Sequence, residues 1–380
     1  MKSDKIRVAV LFGGRSAEHE VSLRSAANVI QFLDPTLFEV IPIGIDKQGN
    51  WFLGNDIFTK SLAQNNVHRL QDQHQAWFTP AWVGQSIKKE EIQDVTPYHS
   101  SSSRRHFDVV FPVVHGVLCE DGSLQGLLEQ ADLPYVGCGV LSSAIGMDKD
   151  VSKRLVKNAN INTPPYVVIK QEQWQNHRNM LLAKLQEKIA PPYFVKPANT
   201  GSSIGINKVK KTDELESAII DAFRFDTKIL IEKALNVVEL EVAALESLDD
   251  AAPIISVVGE IRPRHEFYSY DAKYMDADGA AFFIPAPISH DKQEEAKQIA
   301  EKIFVTLECE GMARVDLFLE KETNQIYFNE INTIPGFTQI SMYPKLMEAS
   351  GVSYSALLTH LIKLAIKRHE KKSKLMRSYT

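Results

Sequence analysis

Short apolar runs alternate with longer amphipathic stretches along this chain. Lys5 to Phe12, Phe38 to Ile45 and Phe107 to Val114 are β-branched runs of the kind found in strands buried on both faces, each bounded by turn residues. The first run ends at Gly13-Gly14, after which Ser16 is placed to cap a helix through about Leu33. Strand, glycine turn and helix open a parallel α/β unit. Short helices are expected at Leu124 to Gln130 and Val140 to Ile145. These elements predict an open, doubly wound parallel sheet over about residues 1–136, interrupted by a polar, irregular insertion at about 55–105.

A second unit, about 137–232, begins with a helix from near Met147 to Asn158. It continues through the turn Thr163-Pro164-Pro165, a strand Tyr166 to Ile169, a long amphipathic helix and a strand Tyr193 to Pro197. The small-residue loop Ala198 to Gly205 follows. From Lys228 onward the chain is strand-rich, with runs at Lys228 to Glu232, Glu239 to Leu245, Pro253 to Ile261, Gly311 to Glu320 and Gln325 to Asn332. Helices at about 291–308 and 353–369 should cover that sheet, in a third unit of about 233–380. The basic run Lys367-Arg368 and Lys371 to Lys374 reads as a solvated tail.

Composition narrows the function classes. The 380 residues suit two or three domains, and 44% hydrophobic with 24% charged residues leaves little room for disorder. Lys and Arg number 43 against 48 Asp and Glu, a formal charge of -5, so a protein held on nucleic acid mainly by net charge is not expected. No apolar run approaches the ~18 residues of a membrane span, and the N-terminal run is too short for a signal-peptide core. A cytoplasmic protein is expected. The three cysteines are widely spaced and read as reduced and buried.

Candidate chemistry concentrates in three places. Asp316, Glu330 and Asn332 lie in two apolar runs; if these pair as antiparallel strands, one face gathers two carboxylates and an amide oxygen. Hard oxygen ligands in that number suit Mg²⁺, with Arg314 nearby as a cation for developing phosphoryl charge. The alternative is the polar face of an ordinary edge hairpin. Lys196, in an apolar strand before the loop Ala198 to Gly205, can offer a point charge and backbone N–H groups to a polyphosphate, although no Walker A spacing is present; a lysine snorkelling to the surface is the competing reading. Lys149, Lys233 and Lys273 are further cations, each equally readable as a solvated surface lysine. Gly13-Gly14 lacks the dinucleotide fingerprint; Glu18 is either a ligand or a carboxylate favoured by the helix dipole. His115-Gly116 closes a strand at an end where ligands collect.

Together, GGRSAEHEVSLRS, HGVLCEDGSLQG, MDK, FVKPANTGSSIG, LIEK, YDAKY, GMARVDLF and NEINTIPGFT resemble the D-alanine–D-alanine ligases of the ATP-grasp superfamily. The match runs in order from Gly13 to Ser341; the long insertion fits the family's longer subtype, and Cys119 stands where glycine is commoner. The resemblance implies a three-domain α/β ATP-grasp fold, in which a doubly wound parallel sheet precedes two α+β domains that clasp the nucleotide. It implies ATP-driven joining of two D-alanines through an acylphosphate, for peptidoglycan precursor synthesis. Asp316, Glu330 and Asn332 would hold two Mg²⁺ ions, with Mn²⁺ able to substitute. Lys149 and Lys196, with Ser202 and Ser203, would contact the nucleotide's phosphates, and Glu232, Lys233 and Glu239 would lie near adenine and ribose.

By the same resemblance Glu18, with His115 beside it, would bind the first D-alanine, and Ser341 the carboxylate of the second. Arg314 and the backbone N–H near Gly336 would form an oxyanion site, and Lys273 would reach the transferring phosphoryl. Ser202 and Tyr274 would link to Glu18, tying a mobile loop Arg262 to Pro287 over the site. The Lys273-Tyr274 pair favours a dipeptide product over the D-lactate ester. A homodimer, with D-alanine and ATP as partners and neither nucleic acid nor membrane, completes the expectation. Alternatives are a D-alanine–D-lactate ligase and a non-catalytic ATP-binding regulator of the same fold.

Overall fold

The computed structural model describes residues 5–53, 107–249, 251–263 and 280–376. Its first sheet contains β1 (Ile6–Gly13), β2 (Phe38–Ile45), β3 (Trp51–Leu53) and β4 (Val109–Pro112), in the order β3-β2-β1-β4. β1 pairs in parallel with β2 and β4, while β3 folds back antiparallel on β2. Helix α1 (His19–Phe32) packs Leu23, Ala26 and Ile30 with one face of this sheet; α2 (Ser123–Gln130) packs Leu124 and Leu128 with the other. With both faces covered, Val8 to Phe12 are at most 1% exposed, so β1 shows no hydrophobic alternation.

The turn after β1 requires glycine. Gly13 has φ +90°, and a Cβ there would stand 2.0 Å from the Ile45 carbonyl oxygen. Gly14 is also left-handed, which prolongs the turn, so α1 begins later than expected. Glu18, not Ser16, occupies the N-cap position, and the Ser16 hydroxyl accepts from the Glu18 N–H at 3.2 Å.

The second unit begins with α3 (Val140–Met147) and α4 (Lys149–Asn158), the latter capped by Asp148, whose Oδ1 accepts from the N–H groups of Asp150 and Val151. It continues through β5 (Tyr166–Lys170), α5 (Gln171–Lys188), β6 (Tyr193–Pro197), β7 (Asn207–Val209), α6 (Leu215–Ala222) and β8 (Lys228–Lys233). The sheet order is β5-β8-β6-β7. β8 therefore closes the second unit rather than continuing the strand-rich run of the third; it lies between β5 and β6, antiparallel to both. The pairing explains this: Ile229 and Ile231 join Val167, Tyr193 and Val195 in one apolar core, which a third-unit position would leave incomplete.

The third sheet, in the order β11-β10-β9-β12-β13, comprises β9 (Val237–Leu245), β10 (Ile254–Pro263), β11 (Ala280–Phe283), β12 (Met312–Glu320) and β13 (Ile326–Asn332). Helix α7 (His290–Thr306) covers one face through Ala296, Ala300 and Ile303. Helices α8 (Met342–Ala349) and α9 (Tyr354–Ser373) belong to a core shared with α1 and β1, so the first and third units are packed together. Part of the expected mobile loop 262–287 is regular structure, because Arg262 pairs with Ala281 and Pro263 with Ala280 between β10 and β11. Lys273 and Tyr274 lie outside the described residues, as does the insertion at 55–105.

The basic C-terminal run is only in part a solvated tail: Lys371 and Lys374 are exposed, but the other three cations are engaged. Helix α9 continues through it, and Arg368 donates to the carbonyls of Gly137 at 2.6 Å and Tyr135 at 2.7 Å while meeting Glu310 at 3.2 Å. Lys367 reaches the Leu248 carbonyl and Lys372 reaches Glu129, each at 2.7 Å. The charges face backbone carbonyls and carboxylates left over at unit boundaries, partners that charge density in the sequence does not reveal. Among the described residues no single helix is long and apolar enough to cross a membrane.

Candidate active site

β12 and β13 pair antiparallel with Arg314 opposite Asn332 and Asp316 opposite Glu330, so these four side chains share one face. The other neighbour of β12 extends the row, since Glu241 of β9 also lies opposite Asp316. Arg314 offsets part of the row's negative charge. Its Nε and Nη2 donate to the two Asp316 oxygens at 2.7 Å each, and Nε lies 3.2 Å from Glu241 Oε2. Burial works against the Arg314 charge, but the Asp316 and Glu241 carboxylates outweigh it and keep the guanidinium firmly protonated.

The expected metal residues are thus brought together. Asn332 Nδ2 donates to Asp316 Oδ2 at 3.1 Å, which turns its amide toward the carboxylates. Among the described residues no three His, Cys, Asp or Glu side chains converge on one point. The donor set is two carboxylates and an amide, with remaining positions left to water or phosphate. That composition fits Mg²⁺ rather than Zn²⁺.

Cations approach this face from the second unit. Lys149, at the start of α4, donates from Nζ to the Thr200 carbonyl at 2.5 Å and lies 3.3 Å from Glu330 Oε2. On the second sheet, residues alternate between the core and the opposite face; Lys196 and Glu232 take the latter with Phe194 and Leu230. Lys196 Nζ donates to Glu232 Oε1 at 2.7 Å and to Asn329 Oδ1 at 3.5 Å, and stands 5.9 Å from the Phe318 ring centre. The second and third sheets therefore face one another across charged side chains.

The residues expected near adenine and ribose are placed unequally. Glu232 is 1% exposed. Lys233 is exposed at the end of β8, and Glu239 is half-buried on β9 opposite Phe318, on the face that carries Glu241. The loop between β6 and β7 holds Ser202 and Ser203 in left-handed backbone, at φ 49° and 60°.

A third cluster surrounds the start of α1. The Ser202 hydroxyl donates to Glu18 Oε1, linking the second unit to the first. Gly116, with φ +82°, lets Glu18 approach: a Cβ there would lie 2.9 Å from Glu18 Oε2. The Gly116 N–H donates to Glu120 Oε2 at 2.7 Å. Burial, then the Glu18 charge, pushes the Glu120 carboxyl up to about 8. His115 shares Nδ1 with the Ile334 carbonyl at 3.1 Å, while its Nε2 is buried without a hydrogen-bond partner among the described residues. Burial lowers its pKa, favouring the neutral imidazole.

The loop after β13 is held by α1, since Ser25 Oγ accepts from the Phe337 N–H and Asn28 donates to the Phe337 carbonyl. Ser341 Oγ accepts from the Thr338 N–H at 2.9 Å, and a Cβ on Gly336 would lie 2.8 Å from that same oxygen. Gly336 and Ser341 are therefore adjacent. Cys119 packs against Gly14; burial pushes its thiol up to about 12, which suits a packing role.

Sequence reasoning missed Lys153, Glu120 and Glu241. Lys153 has a sequence signal, its four-residue spacing from Lys149 on one helix face. Glu241 shares alternation with Glu239 on β9, and Glu120 gave no signal beyond its closeness to His115.

Sequence models of the D-ala D-ala ligase N-terminus and C-terminus match residues 7–138 and 155–363. The D-alanine--D-alanine ligase A of Bradyrhizobium diazoefficiens is 49% identical over 99% of both chains. This chain belongs to the D-alanine–D-alanine ligase family. The ligase A of Escherichia coli K12 is 44% identical over 96% of this chain and 97% of its own. Among solved structures, the VanG D-Ala:D-Ser ligase of Enterococcus faecalis superimposes with a TM-score of 0.78 at 34% identity, covering 95% of this chain and 100% of that one. The D-alanine-D-alanine ligase of Coxiella burnetii gives 0.77 at 34%, covering 98% and 97%. The parallel first sheet and the two facing sheets are those of an α/β ATP-grasp ligase.

Proposed function

We propose that this ligase joins two D-alanines to D-alanyl-D-alanine with conversion of ATP to ADP and phosphate, for peptidoglycan precursor synthesis. Family membership over nearly the whole chain supports the reaction class. The observation that carries the site assignment is the meeting of three folding units: Ser202 on Glu18, and Lys149 on the Glu330 of the carboxylate face.

The carboxylate of the first D-alanine attacks the γ-phosphate, giving an acylphosphate and ADP. The amine of the second attacks that carbonyl, and phosphate leaves. Both steps bring anions together, so charge neutralisation dominates the barrier. Glu18, already oriented by Ser202, receives the first ammonium, with His115 beside it. Lys149 and Lys196 meet the phosphates, with Ser202 and Ser203 on the loop between them; Lys233 and Glu239 border the nucleoside. Arg314, fixed by Asp316, faces the developing oxyanion together with the N–H near Gly336, and Ser341 takes the second carboxylate. Asp316, Glu330 and Asn332 would hold two Mg²⁺ ions, replaceable by Mn²⁺, which supply phosphate charge neutralisation. By the family resemblance Lys273 would reach the transferring phosphoryl and Tyr274 would link to Glu18; both lie outside the described residues.

Phosphate release with D-alanine alone, compared with D-alanine plus D-lactate or D-serine, tests this reading. The D-serine arm is included because the Enterococcus faecalis structural neighbour is a D-Ala:D-Ser ligase. Release with D-alanine alone and a dipeptide product is expected; release only with a second substrate would replace the reading, and none at all would favour a regulator. A cytoplasmic homodimer is the expected form, checked by light scattering and by cell fractionation.

A further inference from the structure

Lys153 is 0% exposed, and a lysine that completely buried requires a partner. It lies one turn beyond Lys149 on α4, and its Nζ is 2.9 Å from Glu232 Oε2, with a 3.3 Å hydrogen bond to the Phe328 carbonyl. The other Glu232 oxygen accepts from Lys196 at 2.7 Å. One carboxylate, 1% exposed, thus serves two ammoniums, of which one is sealed in the core and the other stands 8% exposed on the facing surface. Burial opposes both charges of the inner pair: it lowers the Lys153 pKa despite the Glu232 charge, whereas at Glu232 the two lysines outweigh it and hold the carboxyl below the usual range.

We propose that Lys153 is a positioning residue: it holds Glu232 paired from behind so that Lys196 can leave that carboxylate and transfer its charge to the nucleotide's phosphates. The inference rests on the reading of Lys196 as a phosphate ligand. Without Lys153, moving Lys196 toward a phosphate would strand a buried carboxylate, the strongly unfavourable case of a broken buried pair. Lys196 would then stay on Glu232, and the nucleotide would lose one cation. With Lys153 in place, Glu232 keeps one short partner throughout, and the departure of Lys196 leaves a neutral pair. The two lysines divide the work by exposure: Lys153 has no path to a ligand, whereas Lys196 already reaches across to Asn329 on the other sheet.

Binding of Mg-ATP by titration calorimetry, with steady-state kinetics, tests the proposal on Lys153→Met, Lys153→Arg, Lys196→Met and the Lys153→Met/Glu232→Gln double variant. Lys153→Met leaves the neutral Lys196–Glu232 pair and an isosteric apolar chain, so it should fold; its melting temperature checks this. Its Kd and KM for ATP should rise about 10-fold or more, the scale of one charge-assisted hydrogen bond, with KM for D-alanine unchanged. Lys153→Arg should restore most of the affinity. Adding Glu232→Gln to Lys153→Met should restore most of the affinity, because with no buried carboxylate to strand, Lys196 is free to leave. Wild-type affinity in Lys153→Met, equal losses for ATP and D-alanine, no rescue by arginine, or no rescue by Glu232→Gln in the double variant would overturn the proposal. Wild-type affinity in Lys196→Met would instead remove the phosphate role of Lys196 itself.

Discussion

The Ser202 hydroxyl donates to the Glu18 carboxylate across 184 positions of sequence, joining the loop of the second unit to the first turn of α1. Ser202 is held for this contact by left-handed backbone, and Glu18 by the glycine at 116 that lets its carboxylate approach. The contact therefore exists only when the two units are assembled.

Ser202→Ala should therefore raise KM for D-alanine more than KM for ATP. Removing a donor from a buried carboxylate costs about 1–3 kcal/mol, which corresponds to roughly 5- to 150-fold in affinity. Initial rates with each substrate varied in turn measure the split; an equal rise in both would mean that the loop had simply collapsed.

Glu330→Gln should abolish turnover while the melting temperature holds. The substitution keeps shape but removes the charge opposite Asp316 and beside Lys149. Loss of groups that only support metal ligands already costs about 10- to 100-fold, so a direct ligand should exceed that. Chelation of divalent ions should mimic the variant, and added Mg²⁺ should rescue the wild type alone.

Stability should carry a pH signature from Glu120. Burial, with the Glu18 charge, raises its carboxyl from 4.5 to about 8, so the folded state holds this proton more tightly than the unfolded chain. Its contribution is complete below the ordinary carboxylate range and is lost as pH rises to about 8. Glu120→Gln keeps an acceptor for the Gly116 N–H and cannot ionise. Melting temperature plotted against pH should fall less steeply for the variant through that window; parallel curves would place the proton elsewhere.

Arg368→Ala should destabilise the fold by about 2–3 kcal/mol, because it leaves the Gly137 and Tyr135 carbonyls without their charged donor. Arg368→Lys should recover only part, since one ammonium cannot reproduce a two-pronged fork. Urea denaturation of the three proteins gives the comparison, and full recovery by lysine would show that charge alone matters.

Much of the fold was legible because strand and helix periodicities are local. β2 and β6 fall on the expected residues, and β1 differs by one at each end. The carboxylate face was legible for the same reason: alternation along β12 and β13 fixes which side chains share a side once the strands pair. The neighbours of β8 were not legible because an apolar run states that a strand is buried, not which strand it pairs with. The basic run at the end of α9 looked solvated because a lysine or arginine in sequence carries no record of the carbonyls it will meet.

By itself the sequence determined the alternation of buried strands and covering helices, the glycine turn after β1, and the set of cations and carboxylates available for phosphate chemistry. Tertiary structure alone decided how those charges are shared: Arg314 between Asp316 and Glu241, Glu232 between Lys153 and Lys196, and Glu18 with Ser202. The physical reason is range. Periodicity and turn geometry act within a few residues, whereas the energy of a buried charge depends on which distant chain segment is folded against it.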